Sequence, residues 1–293
     1  MNKRYIASPT RTKEILAKHD IHVKKSLGQN FMIDANVLTN IIDAAGITPS
    51  SNVIEVGPGI GALTEQLAIR AKEVLAFEID QRLLPVLKDT LADYMNIHIR
   101  HEDILEADVN QAIEGIFEDV EDVHLVANLP YYITTPIIMQ LLQKQTAVQS
   151  MTVLLQKEVA ERMAAVPDTK AYGSLSIAVQ YYTKAKLVTD VPKTAFMPQP
   201  NVVSSVLKLE RRKKPLVDVP DDDQFFELVQ TSFRHRRKNI KNNFMAKYRQ
   251  SHGKAFVNRL LESSNIEGTR RGESLSIEEF AVLANKLHQM EQV

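Results

Sequence analysis

The stretch Asn52-Val-Ile-Glu-Val-Gly-Pro-Gly-Ile-Gly61 constrains this chain more than any other. An apolar run is followed by three glycines at alternate positions, and a helical pattern opens at Ala62-Leu63-Thr64. This predicts a buried strand, a tight turn and a helix. Glycines let the backbone turn sharply and let a ligand approach it closely. The helix start beyond them offers free N–H groups and a partial positive charge. The spacing is one residue shorter than the Gly-x-Gly-x-x-Gly of dinucleotide binders, so the loop suits a ligand smaller than a pyrophosphate. The next apolar run, Glu73-Val-Leu-Ala-Phe77, ends in Glu78. An acid at a strand end about 20 residues past the first glycine can hold both hydroxyls of a ribose. Together these elements predict a site for a nucleoside-bearing cofactor; an ordinary tight turn with a surface acid is the plainer alternative.

Strand and helix patterns keep alternating after Glu78. Strands are predicted at 96–100, 123–127 and 149–155 with helical patterns between them, then at 185–190 and 202–209 with none. This predicts an α/β fold: a mostly parallel open sheet with helices on both faces and an antiparallel edge. Ligands of such sheets sit at the carboxyl ends of the strands. Glu55, Glu78, Asp103 and Asn128 all fall near such ends, which collects four polar side chains on one rim.

The charge run Glu210-Arg-Arg-Lys-Lys-Pro215 marks a boundary. It divides the chain into an α/β domain over 1–210, with a basic N-terminal arm that includes Lys24 and Lys25, and a small all-helical domain over 211–293. Residues 225–289 read as wholly helical. Phe233, Ile240, Phe244 and Tyr248 share one face. Arg234, Arg237, Lys238 and Lys241 share another, with Arg236 beside them. A basic face suits phosphate contacts and predicts nucleic-acid binding. A face that is merely solvated is the alternative.

Composition narrows the class. Among 293 residues, Lys plus Arg and Asp plus Glu both number 36, so net charge says nothing about partners. There is no cysteine, which excludes disulfides and thiolate metal sites and suits a reducing compartment. No apolar run reaches the roughly 18 residues that span a bilayer. The basic start Met1-Asn-Lys-Arg-Tyr-Ile6 lacks a following stretch of signal length. A cytoplasmic protein without a membrane partner is expected. The eight histidines show no pair at metal-ligand spacing, so no metal is expected. No dimer seam is visible, and a monomer is expected.

The fourth strand runs into Asn128-Leu-Pro-Tyr131. Pro130 fixes its own φ and keeps Leu129 out of the α region. That can aim the Leu129 carbonyl and the Asn128 side-chain oxygen at one point, where they would bind both hydrogens of an –NH2 group. Tyr131 would offer its flat face to the ring that carries the amine. An exocyclic amine on adenine is a poor nucleophile, because its lone pair is delocalised. Two acceptors can hold the nitrogen as it becomes tetrahedral and free that pair. Phe196, before the rigid Met197-Pro-Gln-Pro200, could close the other side of the base, as flipping enzymes require; a core position for Phe196 is the alternative.

At these residues the chain resembles the small-subunit ribosomal RNA adenine N6-dimethyltransferases. The resemblance covers nearly the whole length and rests on Gln29-Asn-Phe-Met32, Glu55-Val-Gly-Pro-Gly-Ile-Gly61, Glu78, Asp103, Asn128-Leu-Pro-Tyr131 and Phe196-Met-Pro-Gln-Pro200. It implies a Rossmann-like S-adenosylmethionine methyltransferase sheet. Asn30, Met32, Gly57 and Gly59 would line the cofactor site, with Glu78 on the cofactor ribose and Asp103 on its adenine. Asn128 and the Leu129 carbonyl would hold the target amine, held in shape by Pro130, with Tyr131 and Phe196 stacked on the target ring. The implied reaction dimethylates two adjacent adenosines in the 3′-terminal hairpin loop of 16S ribosomal RNA, in the immature small subunit during late assembly.

Three other readings have distinct signatures. A relative that methylates one adenine of large-subunit RNA would act on the other subunit. A binding module would occupy the immature subunit whatever its catalysis. A nicotinamide dehydrogenase is disfavoured by the glycine spacing and by the lack of a proton-transfer group beside the rim.

Overall fold

The computed structural model describes residues 5–24, 28–144 and 146–292. The chain divides into two compact units, Met1–Ala160 with Lys186–Arg211, and Glu161–Ala185 with Arg212–Val293.

The first unit opens with α1 (Pro9–Lys18), β1 (Phe31–Met32) and α2 (Ala35–Ala45). Helix α2 shows why such segments fold locally. Asp34 caps it by accepting from the N–H groups of Asn36 and Val37, and Gly46 stops it at φ 76°. Leu38, Ile41, Ile42 and Ala45 recur at helical spacing and are all buried. Replacing Asp34 by alanine removes that cap, a loss of about 1 kcal/mol.

The βα alternation then runs β2 (Asn52–Val56), α3 (Ala62–Ala68), β3 (Glu73–Glu78), α4 (Leu84–Thr90), β4 (Ile97–His101), α5 (Val109–Glu114), β5 (Val123–Asn128), α6 (Thr134–Gln143) and β6 (Ser150–Gln156). Helices α7 (Lys157–Ala164) and α8 (Ser174–Tyr182) precede β7 (Thr183–Val191), β8 (Phe196–Met197) and β9 (Ser204–Arg211). The main sheet has the order β4-β3-β2-β5-β6-β9-β7. Strands β2 to β6 pair in parallel, and β9 runs antiparallel to β6. The predicted parallel sheet with an antiparallel strand toward one edge is thus the observed one. All five residues of β2 are buried, as expected of a parallel strand covered on both faces. The chain leaves β2 outward through β3 and β4, then returns to β5 on its other flank. The switch point, where ligands of such sheets bind, therefore lies between β2 and β5.

A second, two-stranded ribbon pairs β1 with β8, Phe31 opposite Met197 and Met32 opposite Phe196. The sequence pattern did not predict it, because two residues are too few to show an alternation.

The second unit contains α8, α9 (Asp222–Phe233), α10 (Ile240–Ser263) and α11 (Ile277–Glu291). The expected boundary at 210/211 needs correcting, since residues 161–185 belong to this helical unit. Tyr172, Ile177 and Tyr181 are buried in one apolar cluster with Phe225, Leu228, Phe244 and Phe280. Tyr181 stacks on Phe225 at 5.2 Å, and its hydroxyl donates to Asp222 Oδ1 at 2.6 Å. The helical reading of 225–289 resolves into three α-helices joined by turns, the expected small bundle. Helix α9 ends at Phe233, Asn239 caps α10, and Ser276 caps α11 through a reciprocal pair with Glu279. Gly253, at φ 82°, breaks α10 internally.

Candidate functional site

The carboxyl ends of β2, β3 and β5 surround a cavity in the first unit. Its wall includes Asn30, Met32, Gly57, Gly59, Glu78, Asp103, Asn128, Leu129, Pro130 and Tyr131. Every residue expected at the cofactor, and all of Asn128 to Tyr131, therefore faces one space.

The glycine turn is built as the spacing predicts. Gly57 has φ 70°, and its N–H donates to Phe77 O at 2.9 Å. A Cβ added at Gly57 would meet no atom within 4 Å, because the turn leaves open space there. At Gly61, φ is 91° and a Cβ would lie 3.0 Å from Leu91 Cδ2. One glycine thus keeps room beside the cavity, and the other lets α3 pack.

Glu78 ends β3 on the wall and is buried. Its Oε2 accepts from Gly59 N at 3.2 Å and its Oε1 from Asp80 N at 2.7 Å. Burial raises its pKa, while those N–H groups pull it down. Asp80 forms an outer layer that sequence reasoning missed. It takes Arg82 Nε and NH2 at 3.0 and 2.6 Å and Gln29 Nε2 at 2.9 Å. The Arg82 guanidinium holds the Asp80 carboxyl down at about 2. The signal available was Asp80 itself, two residues after Glu78 and two before Arg82.

Glu55 lies on the same wall and is 1% exposed. Its Oε2 has no hydrogen-bond partner among the described residues. Burial pushes its pKa up to about 8, the neighbouring Thr64 side chain lowers it, and the Glu78 charge raises it further. Sequence reasoning put Glu55 on the rim but gave it no role. Asp103 fixes its own turn by accepting from Leu105 N at 2.9 Å.

At the tip of β5, Asn128 Nδ2 donates to Asn30 O at 3.2 Å, and Asn30 Nδ2 donates to Gly28 O at 3.0 Å. Leu129 N donates to Leu154 O at 3.1 Å, which ties the tip to β6. The Pro130 carbonyl accepts from Ile133 N and Thr134 Oγ1, starting α6. Tyr131 is half-buried with its hydroxyl on Ser204 Oγ at 2.6 Å. Tyr132, exposed, lies over Gly28.

Phe196 is not on this wall. It is 2% exposed and belongs to the apolar cluster that also holds Met32, its partner across the β1/β8 ribbon. Of the two expectations for Phe196, a stacking ring or a core position, its burial matches the core one.

The basic cluster of the second unit lies in a turn rather than on a helix face. Arg234, Arg236, Arg237 and Lys238 fall between α9 and α10 and are exposed. Asn243, fully buried, accepts from His235 N at 3.2 Å and donates to Ser232 O at 2.9 Å, clamping the turn. Arg236 is partly used within the fold, donating to Lys170 O at 2.7 Å. Lys241 begins α10 and packs against Gly268. In the first unit Lys24 is exposed, and Lys25 lies outside the described residues. Among the described residues no group of side chains could hold a metal ion, and no helix is long and apolar enough to cross a membrane.

The chain was compared with known proteins. Residues 21–282 match the family described as ribosomal RNA adenine dimethylase. A ribosomal RNA small subunit methyltransferase A from Oceanobacillus iheyensis is 57% identical over 98% of this chain and 97% of its own. The protein of the same description from Bacillus pumilus is 58% identical over 98% of each chain. Among solved structures, a dimethyladenosine transferase from Plasmodium falciparum superposes with a TM-score of 0.75 at 25% identity, over 89% of this chain and 98% of that one. The 23S rRNA methyltransferase ErmE gives 0.65 at 27% identity, over 89% of this chain and 100% of that one. A match of such length, with relatives more than half identical from end to end, places the sequence: the chain belongs to the ribosomal RNA adenine dimethylase family.

Proposed function

We infer that this chain uses S-adenosylmethionine to dimethylate N6 of two adjacent adenosines in the 3′-terminal hairpin loop of 16S ribosomal RNA. It does so in the cytoplasm, on the immature small subunit. The observation that carries this reading is Asn128, an amide at a strand tip on the same cavity wall as Gly57 and Glu78.

The residues present fit the cofactor. Gly57 leaves space where any other side chain would intrude. Glu55 offers a buried oxygen without a partner among the described residues, suited to a cationic group, and Glu78 an anchored carboxylate suited to ribose hydroxyls. Asp103 would accept from an adenine amine. When bound, the cofactor supplies an electrophilic methyl group.

The chain's own residues do the rest. Asn128 spends its amide hydrogen on Asn30, which leaves Oδ1 as an acceptor for the target amine. With the Leu129 carbonyl it would hold N6 as it turns tetrahedral. Tyr131 would stack on the purine. Arg234, Arg237, Lys238, Lys241 and Lys24 would meet RNA phosphates.

Small-subunit names among the relatives favour the small subunit over the large one. The test is labelled methyl transfer by the purified chain to unmethylated small and large subunits, with the modified base identified. Dimethyladenosine in small-subunit RNA, lost in Asn128→Ala while cofactor still binds, is expected. Full activity in Asn128→Ala, or transfer only to large-subunit RNA, would overturn the reading.

A further inference from the structure

Tyr131 and Ser204 touch although a strand separates the elements that carry them. Tyr131 follows β5, Ser204 opens β9, and β6 lies between the two in the sheet. Their oxygens are 2.6 Å apart, at the short end for paired hydroxyls. Ser204 is fully buried, and the pairing of Gln156 with Ser204 fixes its backbone at the carboxyl rim.

The start of β9 is held on several sides. Val203 O accepts from Lys157 N at 3.0 Å. Ser205 Oγ donates to Asp190 Oδ1, and Lys157 Nζ to Asp190 Oδ2, both at 2.6 Å. Ser204 is therefore a fixed post. A buried serine that merely satisfies a phenol would be unremarked in a core. Here the same tyrosine is one of the residues that line the cavity, one position past Pro130.

We propose that Ser204 is a positioning residue for methyl transfer, holding the far end of the Tyr131 ring so that its flat face stays where the target adenine stacks. This role rests on the function inferred above. A tyrosine side chain pivots about χ1, and its hydroxyl is the outer end of that lever. Pinning the hydroxyl excludes the other staggered wells. Without the pin the ring can move into the space the purine needs. A misplacement of about 1 Å costs on the order of 10²-fold in rate. Ser204 acts through Tyr131, and nothing in this role requires it to touch cofactor or adenine.

The test compares the full-length chain with Ser204→Ala, Tyr131→Phe and the double variant. Unmethylated small subunits serve as substrate. Each single change is expected to lower kcat about 10-fold, a milder loss than full misplacement, with little change in KM for the subunit. The double variant should be no slower than Tyr131→Phe, because both changes remove one interaction. Cofactor affinity should be unchanged. Tyr131→Phe breaks the same bond without altering β9, so it decides the matter even where Ser204→Ala folds poorly. Multiplying losses in the double variant, or wild-type kcat in either single one, would overturn the role. Failure of the unmodified chain to transfer any methyl would overturn the functional reading, and this role with it.

Discussion

Asn128 Nδ2 donates to the main-chain oxygen of Asn30 at 3.2 Å. That single bond decides which end of the amide is free. Replacing Asn128 by aspartate keeps the shape but sets a carboxylate against a carbonyl, with no hydrogen to share. Methyl transfer by Asn128→Asp should fall about 10²-fold, while titration shows cofactor affinity falling far less. Rates within about 3-fold of the parent would remove the acceptor argument; that threshold is under 1 kcal/mol.

Two glycines of one turn should fail in different ways. In Gly61→Ala, strain at φ 91° adds to a 3.0 Å contact with Leu91. A loss of about 2–4 kcal/mol is expected in urea unfolding. In Gly57→Ala only the strain applies, about 1–2 kcal/mol, since the added Cβ meets nothing. Its methyl would instead project beside the cavity and weaken cofactor binding. Equal cofactor affinities for Gly57→Ala and the parent would count against a ligand on that turn.

The Asp80–Arg82 pair should show in acid. The folded pKa of Asp80, about 2, lies below its ordinary value of 3.8. Its contribution is therefore complete above the unfolded value and is lost as pH falls through the folded one. Arg82→Ala should lower stability near neutral pH, where the Asp80 carboxylate loses its partner. Thermal melts of the variant and parent should converge near about pH 2, the folded value. A constant gap across that window would mean packing, not charge.

Glu55 has the opposite sign. Its folded pKa of about 8 stands above its ordinary value of 4.5, so between these values the folded state holds more protons than the unfolded one. Stability should fall as pH rises through that window. Without ligand, Glu55→Gln should be as stable as the parent in urea unfolding below the window and more stable above it, by a few kcal/mol at most. Parallel pH profiles would show that Glu55 is not neutral in the folded chain.

Asn243 carries no charge yet should matter to RNA. Asn243→Ala removes the clamp on the 234–238 turn and leaves buried partners unsatisfied, at about 1–3 kcal/mol. Filter binding to small-subunit RNA should weaken although every cation is retained. Binding equal to the parent's, with the fold intact, would mean that the turn's shape is not read.

The sheet was legible because parallel strands covered on both faces write themselves as apolar runs, as at Val53 to Val56. The rim was legible because Glu78, Asp103 and Asn128 end such runs. Asp80 and Ser204 were not, since each acts through a partner far away in sequence or through a second layer. Phe196 stayed open between a stacking ring and a core residue, because its motif is local while its surroundings include Met32 across a ribbon too short to read. The basic cluster was found, but its turn was missed: the residues that shape it, Asn239 capping the start of α10 and Asn243 inside that helix, are polar and leave the helical spacing of Phe233 and Ile240 nearly undisturbed.

The chain passes between its two units at 160/161, 185/186 and 211/212. A fragment beginning at 212 would lack Tyr172, Ile177 and Tyr181, side chains that fill the middle of its own interior. Exchanging the helical part among relatives therefore demands three splices, and a single cut after the charge run would yield a hollow product.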